Sequence, residues 1–153
     1  MGWDAACPRV ATWAKLQDKE TGKIFMAVNT HFDHVGVVAR NQSALLIISK
    51  IKEIVGDRPA VLTGDFNVTD KSDAYATITT NEFVLKDAHK IAEKTAGVNY
   101  SYHGFTHVPV EKRDKIDFIF VTTLIRVLHS EVTQEIPEAL LSDHNPNWAD
   151  LEF

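Results

Sequence analysis

Residues 37–67 read VVARNQSALLIISKIKEIVGDRPAVLTGDFN, and the change of period inside this stretch decides the fold class. Ala44, Leu45, Ile47, Ile48, Ile51, Ile54 and Val55 recur at helical spacing and predict one broad apolar face on a helix from about Val37 to Val55, with Gly56 placed to end it. Ala60–Thr63 is then a short apolar run that predicts a buried strand leading into Gly64-Asp65. Upstream, Val10–Leu16 alternates loosely and predicts a strand. The DKETGK turn at Asp18–Lys23 and a second apolar run, Ile24–Val28, complete a hairpin. Downstream, Asp70–Lys94 is less regular and predicts short helices. Strands are predicted at Tyr100–Phe105, at Ile116–Val121 (IDFIFV), at Leu124–Val132 and at Trp148–Phe153, with a polar loop at Val108–Lys115. Strands alternating with helices indicate a layered α/β fold.

The 153 residues suffice for one domain with a real hydrophobic core, and 44% hydrophobic with 24% charged residues is ordinary for a globular chain. No apolar run approaches the ~20 residues that a helix needs to cross a bilayer. Sixteen Lys and Arg face 21 Asp and Glu, for a net charge of -5. That balance argues against holding nucleic acid mainly through its phosphates, which calls for a basic surface. A single cysteine, Cys7, excludes an internal disulfide and implies no compartment. Met1-Gly2 lacks the Ser or Thr at position 6 that a myristoylation signal requires, and no secretory signal is visible.

Chemically capable residues cluster where the apolar strands end, the place where layered α/β folds collect ligands. The second strand runs into Asn29-Thr30-His31-Phe32-Asp33-His34, the third into Gly64-Asp65-Phe66-Asn67, and Ser142-Asp143-His144-Asn145-Pro146 precedes the last. Taken singly, each has a bland reading: a strand-end His as a structural hydrogen-bond partner, Gly-Asp and Asp-His as turns. Asp117 is harder to dismiss. It sits among Ile116, Phe118 and Ile119, where a carboxylate is costly unless something pairs with it.

Taken together and in order, NTHFDH, GDFN, KIDFIF and SDHNP resemble the endonuclease/exonuclease/phosphatase superfamily, the DNase I-like group of nucleases, inositol polyphosphate phosphatases, sphingomyelinases and deadenylases. The resemblance runs from about Trp3 to Phe153. It implies a four-layer α/β sandwich and a metal-dependent phosphoester hydrolase working by in-line attack of water. By motif, His144 would be the general base, and Asp117 the carboxylate that orients it and stabilises its charged form. Asp65 would position the water and Asn67 would bind phosphate or metal. Asp143 would be a metal ligand alongside Asp65 and Asn67, and His31 would donate to a phosphoryl oxygen. The implied cofactor is Mg²⁺, or Mn²⁺, because the donors are hard oxygens. Asp33 and His34 extend the first motif as structural support. Arg40, early in the helix, is a candidate for a substrate phosphate or for an ordinary ion pair. Tyr102, His103 and Phe105 are candidates for a pocket wall or for strand packing. His107 and the EKRDK loop at Glu111–Lys115 would form a solvated rim.

The chain also departs from the family pattern. Members supply an early-strand Asn and a metal-binding Glu from an N-terminal block, and nothing before Trp3 offers either. Glu20 lies in a hairpin turn and Glu53 on the polar side of the helix. The expectation is therefore the C-terminal part of the sandwich with its N-terminal block missing, and self-association of the isolated chain through unpaired strand edges. Two alternatives stand beside the hydrolase: an inactive fragment or interaction module, and a zinc hydrolase built on the His31, Asp33 and His34 cluster. The substrate is a phosphoester, a small or lipid-like one being favoured over nucleic acid by the charge balance.

Overall fold

The structure is a computed structural model that describes residues 2–81, 83, 85–134 and 139–153. Its elements run β1 (Ala11–Gln17), β2 (Ile24–His31), α1 (Val37–Val55), β3 (Ala60–Asp65), α2 (Asp73–Thr80), β4 (Leu85–Asp87), α3 (Ala88–Ile91), β5 (Lys94–Gly97), β6 (Asp117–Thr122), β7 (Arg126–Val132) and β8 (Asn147–Glu152), with a short 3-10 turn at Val110–Lys112. One sheet has five strands in the order β1-β2-β3-β6-β4; the other has three, β5-β7-β8. Among the described residues the layers are three: helices α1 and α2, the five-stranded sheet, and the three-stranded sheet.

The two faces of the central sheet carry two cores. Met26, Val28, Leu62, Phe118 and Phe120 face α1 and α2, whose Ile47, Ile48, Ile51, Val55, Tyr75 and Ile78 close over them. The intervening positions Val61, Ile119 and Val121 pack with Val127, Ala149 and Leu151 of the second sheet. Strand β6 is thus covered on both sides, which is why its sequence is apolar without alternation.

Helix α1 follows its predicted span, with one correction. Leu45 is 54% exposed. The buried stripe is Ala44, Ile47, Ile48, Ile51 and Val55, and Leu45 stands about 100° away from it, since each residue turns the helix by that much. The start of α1 is held by two carboxylates: Asp33 accepts the Val35 and Gly36 N–H groups, and Asp4 accepts those of Val38 and Ala39. Gly56 ends it with φ +58, its N–H returning to the Lys52 carbonyl.

Two further expectations are corrected. Residues 100–105 form no strand; the segment turns sharply, with positive φ at Gly104, Phe105 and Thr106, and only Tyr102 bridges, to His144. The segment 70–94, expected to hold short helices, contains α2 and α3 but also β4; Glu82 and Val84 lie outside the described residues. Strand β5, KTAG, is wholly exposed and has no apolar alternation to announce it.

Candidate active site

Strands β2, β3 and β6 are neighbours, and their register sets His31 opposite Asp65 and Asp65 opposite Asp117. The three side chains therefore stand in one row across the sheet. They share the parity of Val61 and Ile119, so they occupy the face turned toward the second sheet, at the end where the intersheet core runs out. His144 is supplied from the other side, by the loop entering β8. Its Nδ1 lies 2.7 Å from Asp117 Oδ2, and its Nε2 lies 3.8 Å from Asp65 Oδ2, while His31 Nε2 is 3.3 Å from the same oxygen. Among the described residues, Asp65, Asp117 and His144 form a group whose ligand atoms all lie within 4.8 Å of one another.

Gly64 makes this row possible. It is not a turn residue but lies inside β3, opposite Thr30 and Phe118. A Cβ built on it would meet the Thr30 carbonyl oxygen at 2.0 Å. Only a residue without a side chain lets β2 and β3 approach so closely beside Asp65.

The electrostatics follow from the crowding. Burial pushes the Asp65 carboxyl up, with the neighbouring Asp117 charge acting in the same direction and the Asn67 N–H bond opposing it. His144 is raised above the usual imidazole range, first by its hydrogen bond to Asp117, and also by the charges of Asp65 and Asp143. Asn67 adopts φ +51. Its backbone N–H donates to Asp65 Oδ1 and its side-chain amide to the Phe32 carbonyl, so Oδ1 is the amide atom left to meet a ligand.

The structure brings His31, Asp65, Asn67, Asp117 and His144 together, with Asp143 adjoining through its charge and its backbone. Arg40 and His103 stand apart: among the described residues neither hydrogen-bonds nor ion-pairs with the row. Arg40 donates to the Asp33 carbonyl. His103 is buried, and its N–H, with that of Gly104, donates to the Asp143 carbonyl, so it anchors the loop that carries His144. Asp33 is buried and accepts four backbone N–H groups, from Ala6, Cys7, Val35 and Gly36. These bonds, the Gly36 one foremost, hold its carboxyl far below the usual range. Among the described residues the alternative zinc cluster of His31, Asp33 and His34 does not form: His31 joins the row, while Asp33 and His34 gather with Cys7. Asp33 has no lone pair left for an ion there.

Sequence reasoning missed the residues that hold the row in place. Ser101 is fully buried, and its Oγ accepts the N–H groups of Ile116 and Asp117. The Asn145 N–H donates to the Ser101 carbonyl and the Asn147 side chain to the Asp117 carbonyl. Tyr102, already a pocket-wall candidate from the sequence, places its ring 5.0 Å from the His144 ring. The available signal was positional: polar residues buried next to motif residues need partners.

The family model described as Endonuclease/Exonuclease/phosphatase family matches residues 3–144. The chain belongs to the endonuclease/exonuclease/phosphatase family. A crystal structure of an endonuclease/exonuclease/phosphatase from Bacteroides vulgatus is 70% identical, with a TM-score of 0.96, over 99% of this chain and 58% of that one. A mannosyl-6-phosphatase from Bacteroides thetaiotaomicron is 32% identical, with a TM-score of 0.88, over 99% of this chain and 60% of that one. Nocturnin of Drosophila melanogaster is 34% identical over 80 residues, which is 50% of this chain and 12% of that protein. The chain thus spans about three fifths of these related structures and a small part of the curated relative.

Proposed function

We propose that this protein is a divalent-metal-dependent phosphoester hydrolase that cleaves by in-line attack of water. The observation that carries this reading is the 2.7 Å contact between Asp117 and His144, set beside Asp65 in the row. With Nδ1 engaged by Asp117, His144 keeps Nε2 for the proton of an attacking water. Asp117 fixes that tautomer and stabilises the imidazolium that forms. Asp65, 3.8 Å from Nε2, orients the water, and His31, 3.3 Å from the same carboxylate oxygen, donates to a phosphoryl oxygen.

The donor set fits a hard cation. Carboxylate oxygens of Asp65 and Asp143 and the Asn67 amide oxygen offer no thiolate, and Asp65 and Asp117 bring two carboxylates close together on adjacent strands. Mg²⁺ or Mn²⁺ held by Asp65, Asn67 and Asp143 would supply charge stabilisation for the phosphoryl and leaving oxygens. Neither Glu20 nor Glu53 adds to this set: Glu20 lies in the exposed hairpin turn and Glu53 pairs with Lys50 on the outside of α1.

The favoured substrate is a phosphomonoester of a small polyhydroxylated molecule, in keeping with the mannosyl-6-phosphatase likeness and with a net charge of -5. The test is a turnover screen on sugar phosphates, phosphodiesters and nucleic acid, with and without Mg²⁺. Hydrolysis that continues undiminished in excess EDTA would refute the metal dependence, and preference for nucleic acid would refute the substrate class.

A further inference from the structure

An open cavity of about 570 Å³ is lined by Thr69 and Lys115, each two positions along the chain from a site residue, Asn67 and Asp117. Its walls come from the segment after Asn67, from α3, and from the segment that leads into Asp117. Four cations line it, Lys71, Lys90, Arg113 and Lys115, against three carboxylates, Asp70, Asp87 and Asp114. This is a local cationic excess in a chain of net charge -5.

Most of these charges are already committed. Lys90 pairs with Asp70 at 2.9 Å. Asp87 is buried, accepting the Tyr75 hydroxyl on one oxygen and the His89 N–H on the other. Arg113 donates to the Val108 carbonyl and the Tyr100 hydroxyl, with its guanidinium against the Tyr100 ring. Lys115 differs. It is half-buried, with its ammonium 5.3 Å from the centre of the Phe118 ring, and makes no hydrogen bond or ion pair among the described residues. A partly desolvated ammonium without an acceptor is a costly group that an external oxyanion would satisfy. Lys71 is exposed at the rim, also without an ion pair among the described residues.

We infer that this cavity is a subsite for a second acidic group, a phosphate or a carboxylate, carried by the same small molecule whose phosphoester lies at the row. Lys115 anchors that group and Lys71 meets it at the rim. The substrate is then a doubly acidic phosphorylated polyol rather than a simple phosphomonoester; this substrate role rests on the hydrolase reading above. The non-reacting acid supplies binding energy away from the phosphorus and fixes the molecule's orientation over the row.

The test measures binding apart from turnover. In EDTA, calorimetry compares glucose 6-phosphate with glucose 1,6-bisphosphate and with 6-phosphogluconate; the last two separate a phosphate from a carboxylate as the second group. At least one doubly acidic ligand is expected to bind about tenfold or more tightly than glucose 6-phosphate, the scale of one charge-assisted hydrogen bond. Lys115→Met, which keeps the apolar stem over Phe118, should bring that ratio to within about threefold of one. Equal affinities in the unmodified chain, or an unchanged ratio in Lys115→Met with a native circular dichroism spectrum, would overturn the inference. Should Lys115→Met not fold, the exposed Lys71→Gln must lower the ratio by about twofold, and failure to do so counts against the subsite equally. A preference that persists while no phosphoester is turned over in Mg²⁺ marks a failure of the hydrolase reading, not of the anion subsite.

Discussion

Gly64→Ala tests the architecture of the site at its tightest point. The added Cβ would lie 2.0 Å from the Thr30 carbonyl oxygen and 2.9 Å from its carbon. Both are backbone atoms of a paired strand, so no side chain can swing aside. Relief requires about 1 Å of separation between β2 and β3, at the pair next to His31 and Asp65. Forcing atoms into a packed interior costs about 1–3 kcal/mol, and the rigid neighbour places this case at the upper end. For a chain of this size that corresponds to a fall in Tm of roughly 6–12 °C, measured by circular dichroism in EDTA. Gly2→Ala, whose Cβ would meet nothing within 4 Å, is the control and should leave Tm unchanged. A Gly64→Ala protein that melts within about 2 °C of the parent would show that the strands are not held at the spacing described, and the account of the GDFN glycine would fall with it.

In the metal-loaded protein, His144→Ala should lower kcat by roughly 10² to 10⁴, the usual worth of a general base. Asp117→Asn should also be severe, and the double variant no worse than about His144→Ala alone; additive losses would mean that the two act separately. Because Asp117 raises the His144 pKa, kcat/KM should rise with pH through a value above ~6.5, and Asp117→Asn should move that limb toward acid. The stability linkage has the opposite sense. A raised imidazole pKa stabilises the fold fully below ~6.5 and loses that contribution as pH climbs through the folded value, so the Tm advantage over His144→Ala in EDTA should shrink on going alkaline. Strand β1 is an edge strand with Val10, Trp13 and Leu16 exposed beside it, so the isolated chain should elute above monomer mass with light scattering, and Trp13→Lys should reduce that association. A clean monomer at tens of micromolar would count against the sticky-edge reading.

Much of this was legible from residue order alone, for identifiable reasons. Helix α1 and strand β6 announce themselves because burial on one face, or on both, forces a period or its absence. Asp117 stood out because a carboxylate among Ile and Phe needs a partner, and that partner is His144. What escaped was whatever depends on contacts distant in sequence. Ser101 looks like any strand serine until its hydroxyl meets the N–H of Asp117. Residues 100–105 have strand composition, yet the chain must turn there to support the Asp143–Asn145 backbone. Gly64 reads as a turn until the neighbouring carbonyl is seen pressing on it. Arg40 stands out in the sequence for its charge and His103 as a pocket-wall candidate, and both are engaged in holding backbone.

The row of His31, Asp65 and Asp117 has a consequence for how such a protein can diversify. Three side chains fixed by register on adjacent strands are spaced by the sheet's own repeat of about 4.8 Å, so their separation is not free to drift. Losing or gaining one residue within β2, β3 or β6 would turn a member of the row to the opposite face. Length variation is therefore confined to connections beyond the strand ends that hold no member or support of the row, such as 68–72 and 105–113, which help wall the neighbouring cavity. The reacting end of a substrate meets a fixed gauge, while the segments that judge the rest of the molecule can lengthen, shorten and change charge independently. New substrates can in this way be tried one loop at a time without retuning the chemistry.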